Sequence, residues 1–310
     1  MYRIVHFFLI VIAIVCVLPM ICLAADKLSV FVSIVPQKYF VQQIGKDLVA
    51  VQAMVLPGSS PATYEPKPQQ MADLSTANVY FAIGVPFENA WLKKIADPNP
   101  NMRVIHTDLG IEKRAMKAHH HQHDDQAEKH HEGEHHGEAA HDEDQHQHAG
   151  LDPHIWLSPP LVKIQARNIL DALQEVDPAH RRVYEANFNE FAARIDQLDA
   201  DLKQTFAGKK GLQFMVFHPA WGYFAHAYGL RQVPIEIEGK DPKPAQLKEL
   251  IQHARENGIK VVFVQPQFST KSAELIAREI GGQVAFANPL AEDWMANLRE
   301  VADKFESALK

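Results

Sequence analysis

Cysteine is almost missing from this chain. Of 310 residues two are cysteine, Cys16 and Cys22, and both fall within the first 25. If that segment is removed, the remainder has no disulfide and no thiolate metal site. Any metal must then be held by imidazole, carboxylate or carbonyl groups. Long apolar runs are also missing beyond the N-terminus, which excludes a multi-span channel or permease. Basic charge is not in excess: Lys and Arg number 31 against 38 Asp and Glu, a net charge of -7. Such a balance speaks against a nucleic-acid partner, whose phosphates call for a basic surface. No His-Glu-X-X-His pattern occurs, so a helix-borne zinc protease site has no sequence support. The composition is otherwise globular, with 46% hydrophobic and 22% charged residues, and the length suits about two domains.

The N-terminus carries Arg3, an apolar run from Phe7 to Leu18, a break at Pro19, and small residues at Ala24 and Ala25. This layout is that of a secretory signal peptide over 1–25, with a retained anchor helix as the alternative. A lipoprotein signal needs a small residue before the modified cysteine. Val15 precedes Cys16 and Ile21 precedes Cys22, so no lipid anchor is expected. The mature protein is expected to begin near Asp26, in the periplasm. Loss of Arg3 leaves 30 basic against 38 acidic residues, a charge of -8.

Alternating apolar runs and turn residues then predict strands at 28–35, 49–56, 79–83 and 103–105, with short helices at 39–44, 71–77 and 88–95. Strand, helix, strand in this rhythm implies a parallel sheet with crossover helices. From 161 onward the chain reads as helix. Asp177 and Pro178 mark a new start, as N-cap and first helical residue. Tyr184, Phe188, Phe191, Ile195, Leu198, Leu202 and Phe206 follow at steps of three and four, one apolar stripe along more than six turns. A second alternating set follows, with strands at 213–217, 232–237, 261–264 and 284–287 and helices at 220–228, 244–257, 272–280 and 293–309. The expected fold is therefore α/β: an N-terminal lobe over 26–176, a linking helix over 177–207 and a C-terminal lobe over 208–310. Ligands of such proteins collect at the carboxyl ends of the strands, in the cleft between lobes.

Residues 119–148 interrupt this pattern. Eleven of the thirty are histidine, at His119, His120, His121, His123, His130, His131, His135, His136, His141, His146 and His148, and nine are Asp or Glu. With no apolar periodicity the segment is expected to be a mobile loop. Imidazoles at this density favour weak, multiple binding of divalent metals, hence capture or buffering, over a plain spacer.

Two further histidines sit in structured phrases. His154 lies in Asp152-Pro153-His154-Ile155-Trp156, and His218 in Phe217-His218-Pro219-Ala220-Trp221-Gly222, where a strand gives way to a helix. Each alone reads as a capping or packed histidine. Together, at strand-to-helix edges of two lobes, they could clamp one metal ion.

These phrases, with Pro57-Gly58, Pro61-Ala62-Thr63-Tyr64-Glu65-Pro66, Gln265-Pro266-Gln267-Phe268 and Pro289-Leu290, resemble the zinc/manganese solute-binding proteins of ABC importers, especially the high-affinity zinc-uptake type. The resemblance covers roughly 27–310. It implies two lobes bridged by a rigid helix, and a divalent metal held between them by up to four ligands and passed to a membrane permease. That metal would be Zn2+, with Mn2+ or another divalent ion as alternatives. His154 and His218 match two ligand positions. The other two depart from the family: Ala62 stands where a histidine is usual and Asn288 where an aspartate is usual. Ala62 has no donor, and Asn288 offers only a neutral carbonyl. Glu65, Glu238, Gln265 and Asp293 are candidate substitutes, as is a loop histidine. A monomeric binding protein is expected, not an enzyme. The rival functions are a zinc-dependent hydrolase, which needs an open coordination position and a general base, and an adhesin or structural surface protein of the same fold.

Overall fold

The computed structural model describes residues 27–116, 150–237 and 239–309. The expected signal peptide, the His-rich segment 119–148 and Glu238 lie outside the described residues.

Leu28–Val32 (β1) is the first strand. It stops short of residue 35 because Pro36, with φ fixed and no N–H to donate, suits the first turn of a helix. Helix α1 accordingly begins at once, as Val35–Gly45. Val49–Ala53 (β2), Val79–Ala82 (β3) and Arg103–His106 (β4) follow, with Pro68–Leu74 (α2) and Pro86–Ala96 (α3) between them. All pairs are parallel, in the order β2-β1-β3-β4. Position in the sheet explains the residue pattern. Inner strand β3, Val-Tyr-Phe-Ala, is buried at every residue, whereas edge strand β2 alternates between buried and exposed.

Two long helices come next, Pro159–Val176 (α4) and Arg181–Thr205 (α5). At 25 residues α5 is about 37 Å long. Its stripe residues Tyr184, Phe188, Phe191, Ile195, Leu198 and Leu202 are all buried, as is Phe206 just beyond its end. Asp177 and Pro178 are the N-cap and first residue of a helical turn, as expected, but that turn is not yet α-helix. Residues Pro178–His180 form a single 3-10 turn, and the α-helix begins at Arg181. The Asp177 carboxylate accepts from Tyr184 Oη at 2.6 Å and His180 Nδ1 at 2.7 Å.

The second lobe repeats the first. Gln213–Val216 (β5), Arg231–Pro234 (β6), Val261–Val264 (β7) and Gln283–Phe286 (β8) pair in parallel in the order β6-β5-β7-β8. Gly222–Ala227 (α6), Pro244–Glu256 (α7), Lys271–Glu279 (α8) and Trp294–Ala308 (α9) complete it. The expected two-lobed α/β architecture with one long helix is thus the architecture observed.

The main hydrophobic core does not divide at the lobe boundary. Phe40 of α1 meets Trp294 of α9 edge-on at 5.1 Å, and Tyr39 meets Phe191 of α5 at 6.0 Å. A smaller cluster, including Met215, Leu250, Val262 and Ile276, seals the second sheet against α7 and α8. No helix among the described residues is long and apolar enough to cross a membrane.

Candidate metal centre

All four strands of the second sheet end on one edge, and the turns there carry polar side chains. His218 lies two residues past β5, Glu236 two past β6 and Asn288 two past β8, while Gln265 and Gln267 follow β7. Val216 is paired with Pro234, so equal offsets set His218 and Glu236 side by side. Carboxyl ends of parallel strands are where open α/β sheets collect ligands. His154 arrives from the other side, immediately before the short 3-10 turn Ile155–Leu157 that leads into α4.

The two imidazoles meet there. His154 Nε2 and His218 Nε2 are 3.3 Å apart. Behind them, His154 Nδ1 is 2.7 Å from Asp152 Oδ1 and His218 Nδ1 is 2.7 Å from Glu236 Oε1. An ionised carboxylate only accepts, so each Nδ1 donates and each neutral ring keeps its lone pair on Nε2. Two lone pairs thus face each other, an arrangement that a cation or a shared proton between them makes favourable. A tetrahedral zinc ion with Zn–N bonds of about 2.0–2.1 Å holds two such nitrogens about 3.3–3.4 Å apart. Carboxylate behind imidazole is also the usual support for a metal-bound histidine.

The electrostatics point the same way. Asp152 and Glu236 are 5% and 7% exposed, and Glu236 Oε2 has no hydrogen-bond partner. Burying two carboxylates beside neutral rings is costly, and one divalent cation offsets both charges. Burial pulls the His154 imidazole below its ordinary pKa, and the neighbouring Asp152 carboxylate opposes that shift. At neutral pH His154 is therefore in its ligand form.

The rings have little freedom. The His154 backbone N–H also donates to Asp152 Oδ1 at 3.0 Å. His218 stacks on Phe268 with ring centres 4.8 Å apart. Trp156 fills the core behind His154 and donates from Nε1 to Pro289 O at 2.7 Å, while Trp294 Nε1 donates to Trp156 O at 2.6 Å. These two tryptophans tie the His154 turn to the Asn288-Pro289-Leu290 turn of the other lobe.

The remaining sequence candidates have separate placements. Gln265 is fully buried with both amide ends occupied, accepting from His218 N at 3.1 Å and donating to His218 O at 2.6 Å. Asp293 caps α9 by accepting from Ala296 N. Asn288 Oδ1 accepts from Leu290 N at 3.0 Å and Gln267 Nε2 at 3.4 Å. Glu65 and Ala62 are exposed. Neither lines the cavity of about 20 Å³ whose walls include Ser60, His154, Trp156, His218, Gln267 and Phe268. A larger surface groove of about 550 Å³ between α4 and α5 contains none of the centre's residues. Among the described residues no set of three or more His, Cys, Asp or Glu is arranged to hold a metal.

Three residues escaped the sequence reading: Asp152 and Glu236 as the carboxylates behind the imidazoles, and Gln267 in the cavity wall. Asp152 was legible, two residues before His154 in the same phrase. Glu236 was not, because its role depends on the pairing of β5 with β6.

The chain leaves and re-enters the described fold beside this centre. Met116 N bonds Gly150 O, Ala115 bridges to Leu151, and Tyr223 Oη joins Arg114 N and Asp152 O, each at 2.9 Å.

Known proteins share this sequence pattern and fold. The family model described as zinc-uptake complex component A, periplasmic (ZnuA), matches residues 30–308. The high-affinity zinc uptake system protein ZnuA of Bacillus subtilis (strain 168) is 30% identical over 267 residues, spanning 86% of this chain and 79% of that protein. A solved ZnuA crystal structure is similar at a TM-score of 0.80 and 43% identity, covering 92% of this chain and 100% of that one. A zinc-bound ZnuA deletion mutant gives 0.79 and 43%, covering 92% and 99%.

Proposed function

The chain belongs to the zinc-uptake complex component A family, and on that premise we propose that His154 and His218 clamp its cargo, one zinc ion, in the cleft between the lobes. The protein is the metal-binding component of a zinc uptake system, a solute-binding protein and not an enzyme. Its partners are the metal and the permease of an ABC importer.

One observation carries the assignment of the site: two Nε2 atoms from different lobes face each other at 3.3 Å, each ring held from behind by a buried carboxylate. Calorimetric zinc titration of the purified protein tests it. Replacing either histidine with alanine should weaken tight binding at least tenfold, about 1.4 kcal/mol, with unchanged circular dichroism. Wild-type affinity in the double variant would refute the site.

The family is periplasmic. The finer reading is a monomeric carrier, free in the periplasm after cleavage near Asp26, which N-terminal sequencing of the exported protein checks. The histidines of 119–148 we assign to weak capture or buffering of metal. Support comes from their composition and from the attachment of that segment at Met116 and Gly150, beside Asp152.

A further inference from the structure

The histidine pair leaves a divalent ion short of ligands, and the positions where the resemblance implies two more hold Ala62 and Asn288. The directions of the hydrogen bonds around Asn288 show which end of a neighbouring amide is left without a partner. Leu290 N–H can only donate, so the Asn288 atom 3.0 Å from it is the carbonyl Oδ1. That same Oδ1 is 3.4 Å from one end of the Gln267 amide, which must then be the Nε2 donor. The other end of Gln267 is Oε1. It is buried, has no hydrogen-bond partner, and belongs to a residue in the wall of the cavity that His154 and His218 also line. An unpaired buried acceptor is costly in a native fold and calls for an explanation.

The two imidazole lone pairs and the unpaired carbonyl oxygen therefore belong to three residues that line one small cavity. No donor among the described residues satisfies that oxygen. At about 20 Å³ the cavity has room for a species the size of one water or ion. Convergent acceptors without donors are the wall of a cation site. The alternatives are poorly placed, since Gln265 has both ends occupied on the His218 backbone, Asp293 caps a helix and Glu65 is exposed.

We propose that Gln267 is the third protein ligand of the metal, binding through Oε1 with its amide oriented by Asn288. This rests on the site assigned to His154 and His218. It gives Asn288 a role: it does not ligate but aims the residue that does.

The test is zinc affinity of the full mature chain, measured by competition with a chromogenic chelator strong enough to mask weak sites. Four variants are compared: Gln267→Leu, Gln267→Glu, His154→Ala and His218→Ala. Gln267→Leu, which keeps the bulk and loses the oxygen, should bind about tenfold more weakly or worse. Gln267→Glu should bind no more weakly than wild type, because carboxylate oxygen is a ready zinc ligand. A purely structural role gives the opposite for glutamate, which cannot donate to Asn288 Oδ1. Gln267→Glu weakened as much as Gln267→Leu would therefore overturn the proposal. So would wild-type affinity in Gln267→Leu while the histidine variants lose binding. Wild-type affinity in the histidine variants would instead remove the underlying site. Zinc-free melting curves of Gln267→Leu and Gln267→Glu separate ligand loss from misfolding, and the glutamate variant keeps the test decisive if the leucine variant does not fold.

Discussion

Asp152 and Glu236 decide what His154 and His218 can do. A free imidazole carries its proton on either nitrogen, and these carboxylates hold it on Nδ1, leaving both Nε2 atoms as donors to a cation. Asp152→Asn or Glu236→Gln keeps the shape but removes the charge. Either should weaken zinc binding about 10–100-fold with little change in fold, measurable by the same calorimetry. Proton competition should separate the centre from the loop. Burial depresses the His154 pKa, whereas solvated histidines titrate near 6.5. If the histidines of 119–148 behave as free imidazoles, they should release metal before the centre does as pH falls, so zinc retained after dialysis should drop in two stages. Loss of all zinc in one stage near 6.5 would contradict this. The same shift bears on stability. Below about 6.5 the unfolded chain takes up a proton at His154 that the folded chain still refuses, so this residue's contribution to stability falls as pH falls toward its folded pKa. At this scale the sequence was legible wherever a residue and its partner share one phrase, as Asp152 and His154 do. It was silent where the partner arrives by strand pairing, as Glu236 does, or through an amide network, as Gln267 does.

Elements place those residues, and their cores were easier to read than their ends. The stripe on α5 was evident because 3.6-residue periodicity over 25 residues has no other explanation. Its start was partly legible: Asp177 and Pro178 open a 3-10 turn, and the α-helix begins three residues later. Strand β1 was read three residues too long, since an apolar run continues unbroken into α1. Leu198 and Ile195 lie on the buried face of α5, and neither lines the cavity of the metal centre. Leu198→Ala should cost about 2–5 kcal/mol of stability in denaturant titrations, with zinc stoichiometry unchanged. The segment 119–148 makes a complementary prediction. Its deletion should remove weak metal sites and slow capture from dilute metal, yet leave the tight site's affinity close to wild type. Loss of the tight site on deletion would make a loop histidine a ligand in place of the one missing at Ala62.

At the scale of the whole molecule the lobes are joined by more than a helix. Trp156 donates to Pro289 O and Trp294 donates to Trp156 O, tying the two lobes together, and one aromatic core runs from α1 through α5 to α9. The protein should unfold in one calorimetric transition, and saturating zinc should stabilise it, by about 2.7 kcal/mol at a hundredfold excess over Kd. Two separated transitions would show that the shared core does not couple the lobes. The clamp itself is tested most directly by zinc-edge X-ray absorption of the protein lacking 119–148, loaded with one equivalent of zinc. Scattering from two imidazole rings, with oxygen completing the shell, is the expected result. Tightly bound zinc with one imidazole or none would contradict the pairing of His154 with His218.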